Sequence, residues 1–226
     1  MVAGWYTALV TTYAKVNLRL LAMLAAVCII AAISFSLALH AAPPAKTLLC
    51  FGDSITAGYG LDANQSYPAA LERMLPKRGY PYRVVNQGVS GNTTKDAAAR
   101  VHSIVALHPD AVVVEFGGND GLRGLPLDAT RQNLDSVLTA LEAAKIRVLL
   151  VGITLPPNYG QEYIHTFDAI YRDAAKKHHV PLMPMLYDGI YTVPGTIQQD
   201  GIHPTAKGTQ MIAEHMLPLL QPLLRK

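Results

Sequence analysis

Leu48-Leu49-Cys50-Phe51-Gly52-Asp53-Ser54-Ile55-Thr56 is a short apolar run that stops abruptly at a glycine, an acid and a serine. The run is too short for a core helix and suits a strand buried on both faces. Gly52 permits a tight turn directly after it, which leaves the next side chains at the rim of a sheet. Gly-Asp-Ser also forms ordinary turns through local side-chain to backbone hydrogen bonds, so the tripeptide alone decides nothing about chemistry. What lies around it does.

Apolar runs alternate with helical patterns from here to the C-terminus. The expected strands are Thr47 to Phe51, Arg83 to Asn86, Ala111 to Phe116, Arg147 to Ile153 and Leu182 to Met185. The expected helices are Tyr67 to Leu75, Thr94 to Leu107, Thr130 to Ala144, Tyr163 to His178 and Thr205 to Leu220. Ala111-Val112-Val113-Val114 and Val148-Leu149-Leu150-Val151 are continuous rather than alternating, which is the pattern of a parallel sheet covered on both faces. The fold expected is a three-layer α/β/α sandwich.

At 226 residues and 50% hydrophobic content, the chain has material for one well-buried domain and shows no shift in composition that would divide it. Ahead of the domain, Met1 to about Ala42 reads as a leader. Lys15 and Arg19 precede the apolar stretch Leu20 to Leu39, with small residues at Ala41 and Ala42. A secretory signal and an uncleaved membrane anchor both fit, and both put residues 43–226 outside the cytoplasm, in the periplasm or secreted. Lipidation at Cys28 is disfavoured by the bulk of Val27. Without Lys15 and Arg19, the 19 basic residues fall to 17 against 16 acidic ones, and they are scattered. That excludes a nucleic-acid footprint. Cys50 is then the one cysteine of the domain, a buried strand residue with no disulfide partner, and its apolar setting disfavours a reactive thiolate.

In an open parallel sheet, ligands bind beyond the carboxyl ends of the strands. Every polar motif of this chain falls there: Asp53-Ser54, Gly88-Val89-Ser90-Gly91-Asn92, Gly117-Gly118-Asn119-Asp120-Gly121, Leu155 to Gly160, and Gln199-Asp200-Gly201-Ile202-His203-Pro204. A serine hydroxyl becomes a nucleophile only when a base takes its proton and a third group orients that base. Asp200 and His203 supply both from one turn, with Pro204 holding His203 extended. The same pair could merely cap the final helix. Acyl transfer also needs donors for a developing oxyanion. The candidates are the backbone N–H groups of Ser54 and Gly88 and the side-chain amide of Asn119, though Gly88 and Asn119 are also residue types of plain turns.

Taken together, Gly52-Asp53-Ser54, Gly88, Gly117-Gly118-Asn119-Asp120 and Asp200-Gly201-Ile202-His203-Pro204 resemble the four blocks of the SGNH (GDSL-type) hydrolases, in order and across nearly the whole domain. Gly117 to Gly124, Leu155 to Gly160 and Asp200 to Pro204 resemble in particular its bacterial arylesterase, acyl-CoA thioesterase and lysophospholipase members. The resemblance implies a flavodoxin-like five-stranded parallel sheet. It also implies Ser54 as nucleophile, His203 as base, Asp200 as its partner, and Ser54, Gly88 and Asn119 as oxyanion donors. Ile55 stands where the family signature has leucine, a change of similar size.

Leu122 and Leu125, between glycines 121 and 124 and Pro126, and the wall from Leu155 to Tyr159 suit an acyl chain. Leu122, Leu125, Pro156 and Tyr159 are the expected substrate contacts, on a loop from Gly121 to Pro126 expected to move on binding. The expected partner is a small acyl ester or thioester, taken by a monomer with no metal and no cofactor. A two-metal phosphoesterase fits poorly, because no Asp-x-His precedes Gly52-Asp53 and no Asp-Arg follows it. A carbohydrate O-acetyl esterase of the same fold is the nearest rival, but the sole tryptophan, Trp5, is in the leader. A non-catalytic binding protein would leave the full set of reactive groups without purpose.

Overall fold

The computed structural model describes residues 46–226, with Met23 alone ahead of them, so the expected leader lies outside the described residues. Ala45–Lys226 is one compact unit. Its five strands are β1 (Lys46–Gly52), β2 (Tyr82–Asn86), β3 (Ala111–Glu115), β4 (Arg147–Val151) and β5 (Leu182–Met183). They form one parallel sheet in the order β2-β1-β3-β4-β5. The order reverses direction at β1, so the chain leaves β1 and β3 toward opposite sides and opens a crevice at their carboxyl ends. Register brings those ends level: Cys50 pairs with Asn86 and Val113, and Gly52 pairs with Glu115.

Among the described residues, seven α-helices accompany the sheet. They are α1 (Ser54–Ala57), α2 (Tyr67–Met74), α3 (Thr94–Val105), α4 (Gly118–Leu122), α5 (Leu127–Ala143), α6 (Gln161–Lys177) and α7 (Ala206–Leu220). The five long ones match the expected segments. α1 and α4 have too few residues to display a helical period, and sequence periodicity does not reveal them. Caps fix the long helices. The Ser66 hydroxyl accepts from Ala69 N–H at the start of α2, Thr93 and Asp96 form a reciprocal capping box on α3, and Thr205 accepts from Gly208 N–H on α7. α5 begins three residues before the expected Thr130, because the Pro126 carbonyl accepts from both Ala129 and Thr130 N–H.

α3, α5 and α6 pack side by side on one face of the sheet, and α2 packs with α7 on the other. All five residues of β3 are buried, as are Leu48 to Gly52 of β1. Phe51 and Phe116 meet edge to face at 4.7 Å in the middle of this core, each fully buried and contributing about 1.5–3 kcal/mol by burial. β4 and β5 are shorter than expected. After their short ladder, Gly152 takes over the pairing, donating to Met183 O and accepting from Leu186 N–H, and the two chains then separate. A rigid parallel core thus holds the loops of the site at one edge.

Candidate active site

The loop after β1 is shaped by what Gly52 leaves out. A Cβ there would stand 2.0 Å from the Thr56 hydroxyl and 2.7 Å from Glu115 Oε2, so only glycine allows the chain to turn at this point. Asp53 then caps α1, its Oδ1 accepting from Ile55 N–H at 3.0 Å. Ser54 is the first residue of that one-turn helix, and Gly58 ends it in the left-handed region at φ 82°.

The Ser54 hydroxyl lies 2.8 Å from His203 Nε2, and His203 Nδ1 lies 2.7 Å from Asp200 Oδ2. Asp200 Oδ1 accepts from the backbone N–H groups of Ile202 and His203, at 2.9 and 3.0 Å. Partial burial works to raise the Asp200 carboxyl, but the His203 and Ile202 N–H groups and the His203 ring prevail and hold it down at about 2. It is therefore an anion at any ordinary pH. The Tyr59 ring covers His203 at 4.6 Å, and the Tyr187 hydroxyl donates to Ile202 O, bracing the loop.

Asn119 projects from α4. Its Nδ2 donates to Asp53 Oδ2 (3.1 Å) and Asn92 O (2.9 Å), while its Oδ1 accepts from Arg123 Nη2 (3.2 Å). Two acceptors on the nitrogen and a cation on the oxygen leave one favourable orientation for the amide. Asp120 locks α4 to its neighbours, accepting from the Thr94 N–H and hydroxyl and from the Thr130 hydroxyl.

The expectation for Gly88 is corrected by the structure. Its N–H donates to Asn86 Oδ1 at 2.9 Å, and a Cβ on it would stand 2.2 Å from Ala57 N, so this glycine packs against α1 and does not line the cleft. Three residues on, Gly91 does line it, with φ at 80°. Among the described residues neither the Gly91 nor the Ser54 N–H has an acceptor. Both glycines belong to one sequence motif, and the signal separating them is Asn86, whose short polar side chain bonds two residues ahead.

The cleft over Ser54 has a volume of about 230 Å³. Its walls are Ile55, Tyr59, Leu122, Ile153 and Ile202, with Asp53, Asn119 and His203 at the polar end. Of the expected substrate contacts only Leu122 lies on it. Leu125, Pro156 and Tyr159 do not line it. Tyr159 instead stacks near Tyr163 at 6.3 Å in an adjoining hollow, its hydroxyl donating to Leu122 O at 2.8 Å. Tyr59, Ile153 and Ile202 are wall residues that sequence reasoning misses. Ile153 lies at the end of an expected strand, while Tyr59 and Ile202 carry no periodic signal.

Beneath Ser54 lie two buried acids. Burial pushes the Asp53 carboxyl up to about 6, against the opposing pull of Ile55 N–H, Glu115, His203 and the Asn119 amide. Glu115 is raised well above the carboxylate range, first by burial and then by the Asp53 charge. Its Oε2 accepts from the Thr56 hydroxyl (2.8 Å) and, at longer range, from Asp53 N–H (3.4 Å). Cys50 is fully buried and its thiol is pushed far up by desolvation. His178, expected only to end a helix, bridges α5 and α6, with Asp135 Oδ1 at 2.8 Å and Glu142 Oε2 at 3.1 Å from its two ring nitrogens. Among the described residues no three His, Cys, Asp or Glu side chains gather in a way that could hold a metal ion.

Residues 50–211 match the model of the GDSL-like lipase/acylhydrolase family. The chain is 44% identical over 181 residues to "Esterase TesA" of Pseudomonas aeruginosa, covering 80% of this chain and 90% of that one. It is 41% identical over 184 residues to "Thioesterase 1/protease 1/lysophospholipase L1" of Escherichia coli K12, covering 81% and 87%. A solved structure described as TesA superposes with a TM-score of 0.76 at 43% identity, covering 79% of this chain and all of that one. With the serine, imidazole and carboxylate in one hydrogen-bonded line at the sheet edge where this family's blocks fall, the chain belongs to the GDSL-like lipase/acylhydrolase family of SGNH hydrolases.

Proposed function

We propose that this protein is a serine esterase that hydrolyses carboxylic esters and thioesters of acyl chains through an acyl-enzyme on Ser54. The observation that carries the reading is the continuous line Ser54 Oγ to His203 Nε2 to Asp200 Oδ2, at 2.8 and 2.7 Å, beside two backbone N–H groups without acceptors among the described residues.

His203 Nε2 takes the hydroxyl proton as Ser54 Oγ attacks the substrate carbonyl carbon, and Asp200 accepts from the Nδ1–H of the resulting imidazolium. The carbonyl oxygen becomes an oxyanion between the N–H groups of Ser54 and Gly91. Asn119 joins them by yielding the Asn92 carbonyl, the uncharged one of its two acceptors. Each such donor supports the charge only as it forms, which lowers the barrier by about 3 to 4 kcal/mol in well-studied enzymes. Collapse expels the alcohol or thiol with the proton from His203. A water molecule, deprotonated by the same ring, then releases the acid.

The acyl chain rests against Leu122, Ile153 and Ile202, with Tyr159 acting on it through the Leu122 carbonyl and with the loop from Gly121 to Pro126 adjusting to its length. The protein works as a monomer without a metal, exported to the periplasm or beyond by the segment Met1 to about Ala42. An aryl fluorophosphonate is expected to label one serine per chain. Hydrolysis of a panel of acyl esters and thioesters is expected to vanish in Ser54→Ala and to survive a strong chelator. Activity persisting in Ser54→Ala, or lost on chelation, would overturn the reading.

A further inference from the structure

The hydrogen bond between Ser54 and His203 joins two loops that lie almost 150 residues apart in the chain. The central sheet fixes the start of α1, but it does not fix the loop that bears His203, which stands outside all five strands. Besides the Ser54–His203 bond and the Tyr59 ring over His203, one further side chain bridges the two. Gln198 Nε2 donates to Tyr59 O at 2.8 Å on the serine side and to Pro204 O at 2.9 Å on the histidine side. Its backbone N–H donates to His203 O at 2.8 Å.

The bonds close a ring. Tyr59 N–H donates to Ser54 O, Tyr59 O accepts from Gln198, Gln198 holds the carbonyls of both His203 and Pro204, and His203 Nε2 returns to Ser54 Oγ. Gln198 Oε1 sits against Gly60, where a Cβ would come within 2.6 Å of it, and Gly60 adopts φ 74°. Glycine there is what allows the amide its place. Both protons of the amide are spent on backbone carbonyls of different loops, so neither the carboxylate of glutamate nor the thioether of methionine reproduces the bridge.

We infer that Gln198 is a positioning residue for the Ser54–His203 pair, setting the distance between nucleophile and base without touching substrate. The inference rests on the esterase reading of that pair. Catalysis is sensitive to such spacing because proton transfer requires the base within hydrogen-bond reach, and a displacement of about 1 Å costs about a hundredfold in well-characterised cases.

The test uses the full chain, with active sites counted by titration so that misfolded protein does not enter the rate. Gln198→Met keeps side-chain length and removes both donors. It is expected to lower kcat at least tenfold and the rate of fluorophosphonate labelling in step, with KM changed less than twofold. Gly60→Ala disturbs the same contact from the other loop and is expected to show the same division between kcat and KM. Gln199→Ala, at the exposed neighbouring position, is expected to leave all of these values alone. If Gln198→Met keeps kcat and labelling rate within twofold of the parent while melting earlier, Gln198 is only structural and the inference is overturned. A loss confined to KM overturns it as well. If the unaltered chain is not labelled at Ser54, the esterase reading fails instead.

Discussion

Replacing Asp53 with asparagine is expected to slow the enzyme and to shift the balance of stability toward the variant as pH rises. Asp53 is 2% exposed, and burial raises its carboxyl from 3.8 to about 6. The folded state therefore keeps a proton that the unfolded chain has released. Between those two values stability falls as pH rises, the reverse of the usual carboxylate behaviour. At about 1.4 kcal/mol per pH decade, the cost accumulated by neutral pH is about 3 kcal/mol. An asparagine side chain cannot titrate and escapes it. The amide carries a fixed cost of its own, because its NH₂ must face either Ile55 N–H or the Asn119 amide, about 1–3 kcal/mol at any pH. Removing the Asp53 charge also relieves Glu115, whose rise it augments, so both effects share a sign. Urea unfolding of parent and Asp53→Asn at pH 4 and 7.5 separates the two costs. The difference in stability between the proteins is expected to shift in favour of the variant by about 2–3 kcal/mol between those pH values, roughly 5–10 °C in melting temperature for a domain of this size. At pH 7.5 kcat is expected to fall, since Asn119 loses the anion that orients it. An equal stability difference at the two pH values would refute the argument that Asp53 carries a buried charge.

Other outcomes can be checked alongside. Asn119→Ala is expected to lower kcat by about 10²–10³ with little change in KM, measured on a single aryl ester. Gly88→Ala is expected to destabilise the fold, because its Cβ would collide with Ala57 N at 2.2 Å, whereas Gly91→Ala meets nothing nearer than Arg123 Nη2 at 3.7 Å but strains a backbone held at φ 80°, and is expected to lose activity by displacing the N–H, with the smaller fall in melting temperature. Asp200→Asn is expected to cut kcat by about 10³–10⁴ by allowing the wrong tautomer of His203. Because Asp200 is held at about 2, protonation of this residue is not expected to contribute to any fall in activity between pH 4 and 7. Leu122→Ala is expected to move the optimum toward different acyl lengths in an ester panel, and an unchanged profile would remove Leu122 from the substrate site.

The five strands and five long helices were legible because burial on both faces writes continuous apolar runs such as Val112 to Val114, and amphipathic helices write a period of their own. Parallel topology then carries every polar motif to one edge with no knowledge of side-chain placement. Asp200 and His203 were legible as a pair because three residues and a proline hold them in one turn, a local matter. Ser54 was legible once the other polar motifs fell at the same sheet edge, since Gly52-Asp53-Ser54 alone also reads as a turn.

Other features depended on contacts that no local pattern encodes. Gly88 and Gly91 stand in the same motif, and which N–H faces the cleft is decided by Asn86 and by the packing of Ala57 from another loop. Glu115 reads in sequence as the end of a strand. Only the register that pairs it with Gly52 puts it beneath the serine. Gln198 is one polar loop residue among several until two distant carbonyls converge on its amide. Sequence determined which segments are buried and where the chain turns, since those follow from hydrophobicity and backbone preference. The tertiary structure alone decided which donors face a common point, since that direction is fixed by contacts between loops far apart in the chain.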